Sequence, residues 1–138
     1  MRPVILVCVG YYLPGFKAGG PIQTIANLVE RLGDDFDFRI VTRDRDSGDE
    51  VPYGGIVPDR WCPVGKAQVY YAAPRTLRLG ALVRVIRDTR HDVLYLNSFF
   101  DPWFTIVPLA ARRLGLLPQR PVVLAGGLGP ENVAEAIE

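Results

Sequence analysis

Two glycine-rich strings stand where a backbone could close on a phosphate. Ala18-Gly19-Gly20-Pro21 follows the first apolar run, and Ala125-Gly126-Gly127 follows the last. Lacking Cβ atoms, Gly19 and Gly20 let the chain approach a ligand, and a helix opening at Pro21 offers free N–H groups to an anion. The same residues also suit a plain strand-to-helix turn. Gly126 and Gly127, ahead of Pro130, form a second candidate phosphate cradle. Asn97 and Ser98 carry an amide and a hydroxyl suited to holding a hydroxylated substrate, although an amide cannot act as a base near neutral pH. Asp101 is a candidate proton acceptor. An Asp directly before Pro102 is more often a helix cap, and that is the favoured expectation.

Other residue clusters are assigned less. Asp44-Arg45-Asp46 sets two carboxylates where a hard cation could bind. The run 43–50 alternates in sign, so a solvated, salt-bridged loop is expected and no metal site is assigned. Gly65-Lys66 is followed by Ala67, which rules out a P-loop, and no G-x-G-x-x-G string occurs. Tyr11 and Tyr12 stand where a response regulator would carry acidic metal ligands. Cys8 and Cys62 have no metal-type spacing and read as reduced thiols in a cytoplasmic protein. His91, the sole histidine, sits beside Asp92 at a helix end, where capping is expected. Trp61, Trp103, Tyr11 and Tyr12 could stack on sugar rings, but packing explains most such aromatics.

Positioning these residues requires alternating strands and helices. A continuous apolar, β-branched run predicts a strand over 3–9, and the stretches 36–42, 67–72, 93–96 and 121–125 read as further strands. Helical spacing predicts helices over 21–32, over 76–90 with Thr76 as cap, from Pro102 towards Gly115, and from Pro130 onward. Leu77, Leu82, Val85 and Ile86 are expected to face the sheet. Residues 43–64 read as one long polar loop. The fold class is therefore α/β, a doubly wound, mainly parallel sheet. Ligands in such sheets bind beyond the carboxyl ends of the strands, which selects residues 10–20, 97–101 and 126–129.

Sequence strings then point to a family. GYYLPGFKAGGPIQTIANLVERL and DVLYLNSFFDPWFTIVPL resemble the amino-terminal domain of family 4 glycosyltransferases, over residues 1 to about 125. The resemblance implies a Rossmann-like sheet forming one half of a GT-B fold. It implies an acceptor-side domain of a retaining enzyme that uses a nucleotide-sugar co-substrate and no bound cofactor or metal for the chemistry. Partners would be the nucleotide-sugar donor and a glycan or lipid-linked acceptor, in polysaccharide or glycolipid assembly. Gly19 and Gly20 match the family's glycine pair. Asn97 and Ser98 match the loop after its fourth strand, where many members carry histidine instead of Asn97.

Residues 124–138 depart from that pattern. LAGGLGPENVAEAIE resembles the phosphate-binding segment of phosphoribosylanthranilate isomerase, a (β/α)₈ barrel, and implies a join near residue 125. Residues 126–138 are then a glycine-rich loop and helix of separate origin. On this reading a donor-binding domain is missing and the chain is expected to be inactive alone. The alternative is a non-catalytic phosphate- or nucleotide-binding module, or a non-functional fusion fragment.

Composition narrows the classes. The 138 residues are one domain's worth, 49% hydrophobic and 22% charged, so a packed core is expected rather than disorder. A net charge of +1 argues against a nucleic-acid partner. No apolar run reaches the roughly 20 residues of a membrane span. Arginines at 75, 78, 84, 87 and 90 suit either a wet helix face or peripheral contact with an anionic membrane at the cytoplasmic side.

Overall fold

Residues 1–97 and 101–124 are described in the computed structural model. The continuous apolar run 4–9 becomes a central strand, because only side chains buried on both faces tolerate such a run. Strands β1 (Val4–Val9), β2 (Asp37–Arg43), β4 (Ala67–Ala72), β5 (Val93–Asn97) and β6 (Val122–Leu124) lie parallel. Strand β3 (Trp61–Val64) pairs antiparallel with β4. The six strands are ordered β3-β4-β2-β1-β5-β6. Helices α1 (Gly20–Leu32), α2 (Leu79–Asp88) and α3 (Val107–Arg113) connect them. The result is an α/β fold with a mixed, mostly parallel sheet.

Strand alternation distributes the core over both faces. Leu6 and Cys8 of β1 pack with Leu94, Leu96, Leu82 and Ile86 beneath α2 and α3. Val7 and Val9 point the other way, onto Phe38, Ile40 and the α1 residues Ile25 and Val29. Each fully buried aliphatic side chain contributes about 1.5–3 kcal/mol. Val85 joins the α2 cluster, as helical spacing predicts, and Leu77 packs there too, from the turn ahead of the helix. Arg75, Arg78, Arg84, Arg87 and Arg90 all remain exposed.

Two expectations are corrected and a third is refined. The polar loop 43–64 ends in a strand, β3, which tolerates Pro63 because it sits on the sheet edge and needs few ladder donors. Thr76 does not cap α2. Pro74–Thr76 is a 3₁₀ turn, the Thr76 hydroxyl donates to Asp59 at 2.6 Å, and α2 begins at Leu79 behind Arg78. The helix after Pro102 opens with a π-helical turn, Pro102–Ile106, before α3 takes over.

Two buried groups make simple predictions. Cys8 is fully buried in β1, and burial pushes its thiol up to about 12, whereas Cys62 is half-buried. One thiol is therefore expected to react quickly with Ellman's reagent in the native protein, and both after denaturation. His91 is also buried, with Nδ1 2.8 Å from the Thr89 carbonyl at the end of α2. Burial lowers its pKa from 6.5, so the ring stays neutral and gives the helix dipole no charge. Well above pH 6.5 neither state binds this proton, and as pH falls through 6.5 the unfolded chain takes it up first. Melting temperature is expected to fall between pH 7 and pH 5, and to fall less in His91→Asn, whose amide keeps the bond to Thr89.

Candidate functional site at the carboxyl edge of the sheet

β1 lies between β2 and β5, and the chain proceeds outward from it in both directions, to β4 on one side and β6 on the other. The helices that follow β1 and β5 pack on opposite faces of the sheet, the arrangement at which open α/β sheets take ligands in a crevice beyond the carboxyl ends of the strands. Val9 pairs with Asn97 across this point, so Asn97, which is buried, ends β5 directly beside the start of the first glycine-rich loop.

Arg43, the last residue of β2, crosses this crevice. Its Nη1 donates to Asp101 Oδ2 at 2.6 Å and to the Gly10 carbonyl at 3.3 Å, and its Nη2 donates to Asp101 Oδ1 at 3.3 Å. The guanidinium carbon sits 4.9 Å from the Tyr11 ring centroid and 5.0 Å from that of Phe104. Asp101 Oδ1 also accepts from the backbone N–H groups of Trp103 and Phe104, at 3.0 and 3.1 Å. Asp101 is thus the helix cap that the Asp-Pro step predicts, and it is an ion-pair partner as well. Sequence reasoning missed Arg43, which stood there only as the first residue of a polar loop.

The β1–α1 loop is held from the opposite side by Asp46. That carboxylate accepts from the backbone of Phe16 at 3.0 Å, Lys17 at 3.2 and 3.3 Å, and Ser47 at 2.8 Å. Burial alone would raise its pKa, but the three N–H donors outweigh this and hold it below the usual carboxylate range. Gly15 packs against Asp46 and the Tyr53 hydroxyl with no room for a Cβ. Lys17 Nζ meets Asp49 at 2.5 Å, and Asp44 is clasped by Arg45 Nε at 2.7 Å. The expectation of a solvated loop at Asp44-Arg45-Asp46 is corrected: Asp44 and Asp46 are 2% and 5% exposed. The salt-bridge half of that expectation holds for Asp44 and Arg45.

This clamp leaves the start of α1 open. Gly19 is the N-cap at φ 74°, a backbone region that glycine favours, and no side chain caps the helix. A Cβ built at Gly19 or Gly20 meets nothing within 4 Å. Beside Tyr11 and Arg43 lies a shallow cavity of about 240 Å³, reaching Arg45, Asp49 and Leu77. Gly19, Gly20, Asn97 and Asp101 therefore share the carboxyl edge, whereas Ser98, Gly126 and Gly127 lie outside the described residues.

No protein-family model, curated protein or solved structure matches this chain.

The edge is chemically mixed. Free helix N–H groups favour an anion. Guanidinium and carboxylate groups beside a half-buried tyrosine suit hydroxyls and a sugar ring. Among the described residues, no group of three or more His, Cys, Asp or Glu is placed to hold a metal ion. Likewise, no helix among them is long and apolar enough to cross a membrane. A second polar cavity, of about 440 Å³ between Arg2, Arg39 and Trp61, opens at the amino ends of the strands. The remaining aromatics pack: Tyr12 is buried and Trp61 stacks edge-on against Tyr70.

Proposed function

We propose that this chain is the acceptor-side domain of a retaining, nucleotide-sugar-dependent glycosyltransferase, a Rossmann-like half of a GT-B fold. The observation that carries the reading is the outward reversal of strand order at β1. It gathers the open start of α1, Asn97 and the Arg43–Asp101 pair on one edge. Gly19 and Gly20 would admit a diphosphate or an acceptor. Asn97, with Ser98 as the sequence resemblance implies, would hydrogen-bond acceptor hydroxyls. Asp101 already receives four hydrogen bonds, which supports a positioning role over proton transfer. Free Cys8 and Cys62 support a reducing, cytoplasmic setting. A glycan or lipid-linked acceptor is the partner class, in polysaccharide or glycolipid assembly.

The alternative, a phosphate- or nucleotide-binding module, is favoured by the same open helix start. One titration separates the two. ¹⁵N-labelled protein is mixed with UDP-glucose, GDP-mannose, inorganic phosphate and short oligosaccharides. The glycosyltransferase reading expects amide shifts at residues 15–20 and at Asn97 with both a nucleotide sugar and a glycan. Shifts with phosphate and nucleotide but no glycan would favour the module. No shift at this edge with any probe would overturn both. Gly20→Leu, whose Cβ enters open space, is expected to weaken nucleotide binding at least tenfold, with a thermal melt to check that the variant folds.

A further inference from the structure

We propose that the trench between α2 and α3 is a docking groove for an acidic amphipathic helix of a partner protein. It is independent of the carboxyl-edge site. The trench encloses about 630 Å³. Its rim carries Leu79, Ile106, Leu114 and Leu116, which are 65%, 54%, 75% and 55% exposed. That is a contiguous apolar surface, not scattered single side chains.

Its shape selects a helix. Leu79, Val83 and Arg87 repeat every four residues along one wall, and Val107, Ala110 and Leu114 at spacings of three and four along the other. Two parallel helical ridges leave a groove that a third helix fills with its own apolar stripe. Eight residues of helix give a groove of about 12 Å, roughly two turns of an occupant. Gly80 and Ala110 offer no bulk, and a Cβ built at Gly80 meets nothing within 4 Å, so an occupant's backbone can come close. A flat bilayer would touch the leucines of the rim and leave the trench unfilled.

Charge selects an acidic occupant. Residues 74–124 carry eight arginines against three aspartates, although the whole chain is only +1. Arg84 and Arg87 line the trench, and among the described residues no carboxylate does. Arg84 has no ion-pair partner among the described residues, and Arg87 meets only its exposed neighbour Asp88. A second copy of this chain would bring arginines against arginines. The occupant is therefore a helix with an apolar stripe flanked by Glu or Asp on the side facing Arg84 and Arg87.

The test uses the full chain and two labelled 15-residue peptides. Both carry leucines at helical spacing, flanked by Glu in one and by Lys in the other. The Glu peptide is expected to bind at least tenfold more tightly. Arg84→Glu with Arg87→Glu should invert that preference, and Ala110→Phe, which fills the trench, should weaken the Glu peptide at least tenfold. All of these positions are exposed, and circular-dichroism melting checks that each variant folds. Absence of binding, or a preference that ignores the charge reversal, overturns the proposal. Two further outcomes would also overturn it. One is binding to phosphatidylglycerol vesicles, lost in Ala110→Phe, while neither peptide binds, which assigns the face to lipid. The other is concentration-dependent dimerisation that Ala110→Phe abolishes, which assigns it to a second copy.

Discussion

Asp101→Ala is expected to destabilise the protein by about 3 kcal/mol, a fall of about 10 °C in melting temperature. Two losses combine. The helix after β5 loses the acceptor for the N–H groups of Trp103 and Phe104, worth about 1 kcal/mol. Arg43 loses its carboxylate while its side chain is only 18% exposed, which leaves a cation with poor access to water. Removing one partner of a shielded pair costs more than the pair is worth. Arg43→Met with Asp101→Ala should therefore cost less than the two single losses added together. Thermal melts of the four proteins give that coupling, expected at about 1–2 kcal/mol. Additive losses would show that Arg43 and Asp101 do not act as a unit.

How far the sequence disclosed this pair depends on distance along the chain. The cap on Trp103 and Phe104 is local, two and three residues from Asp101, so the Asp-Pro step announces it. The ion pair joins residues 58 apart, and nothing near Arg43 signals its partner. The strands follow the same rule. β1 is legible because burial on both faces demands an unbroken apolar run, whereas β2 alternates at its start, with Phe38 and Ile40 buried and Asp37 and Arg39 half-buried. β3 is not legible: it is four residues long, contains Pro63 and pairs only with β4, so its pattern is that of a loop. Thr76 looks like the cap of α2, but its hydroxyl donates to Asp59, 17 residues upstream, and the helix starts at Leu79. Gly19 and Gly20 were legible as an open turn. Gly15 was not, because its constraint comes from Asp46 and Tyr53, which approach from another loop.

Asp46 is the strongest case of a residue whose role its neighbours conceal, and its replacement should have the other large effect. Alternating charges around it predict a wet loop, where a substitution costs within about 0.5 kcal/mol. Instead its carboxylate receives backbone N–H groups from Phe16, Lys17 and Ser47. Asp46→Ala leaves those donors without their acceptor. Each bond to a charged group is worth about 1.5–3 kcal/mol, less whatever water recovers in the opened loop. A net loss of about 3 kcal/mol is expected. Asp46→Asn keeps one carbonyl acceptor and should lose about half as much. Acid should reproduce part of the effect. The depressed carboxylate stabilises the fold above pH 3.8, and that contribution is lost as pH falls through its native value. The wild type should thus lose more melting temperature than Asp46→Asn below pH 4. Hydrogen exchange supplies the local readout. In Asp46→Ala the amides of Phe16 and Lys17 should exchange at least tenfold faster, while those of β1 change only with global stability. If Phe16 and Lys17 keep their protection, the loop is held by Tyr53 and the Gly15 turn, and the open start of α1 does not depend on Asp46.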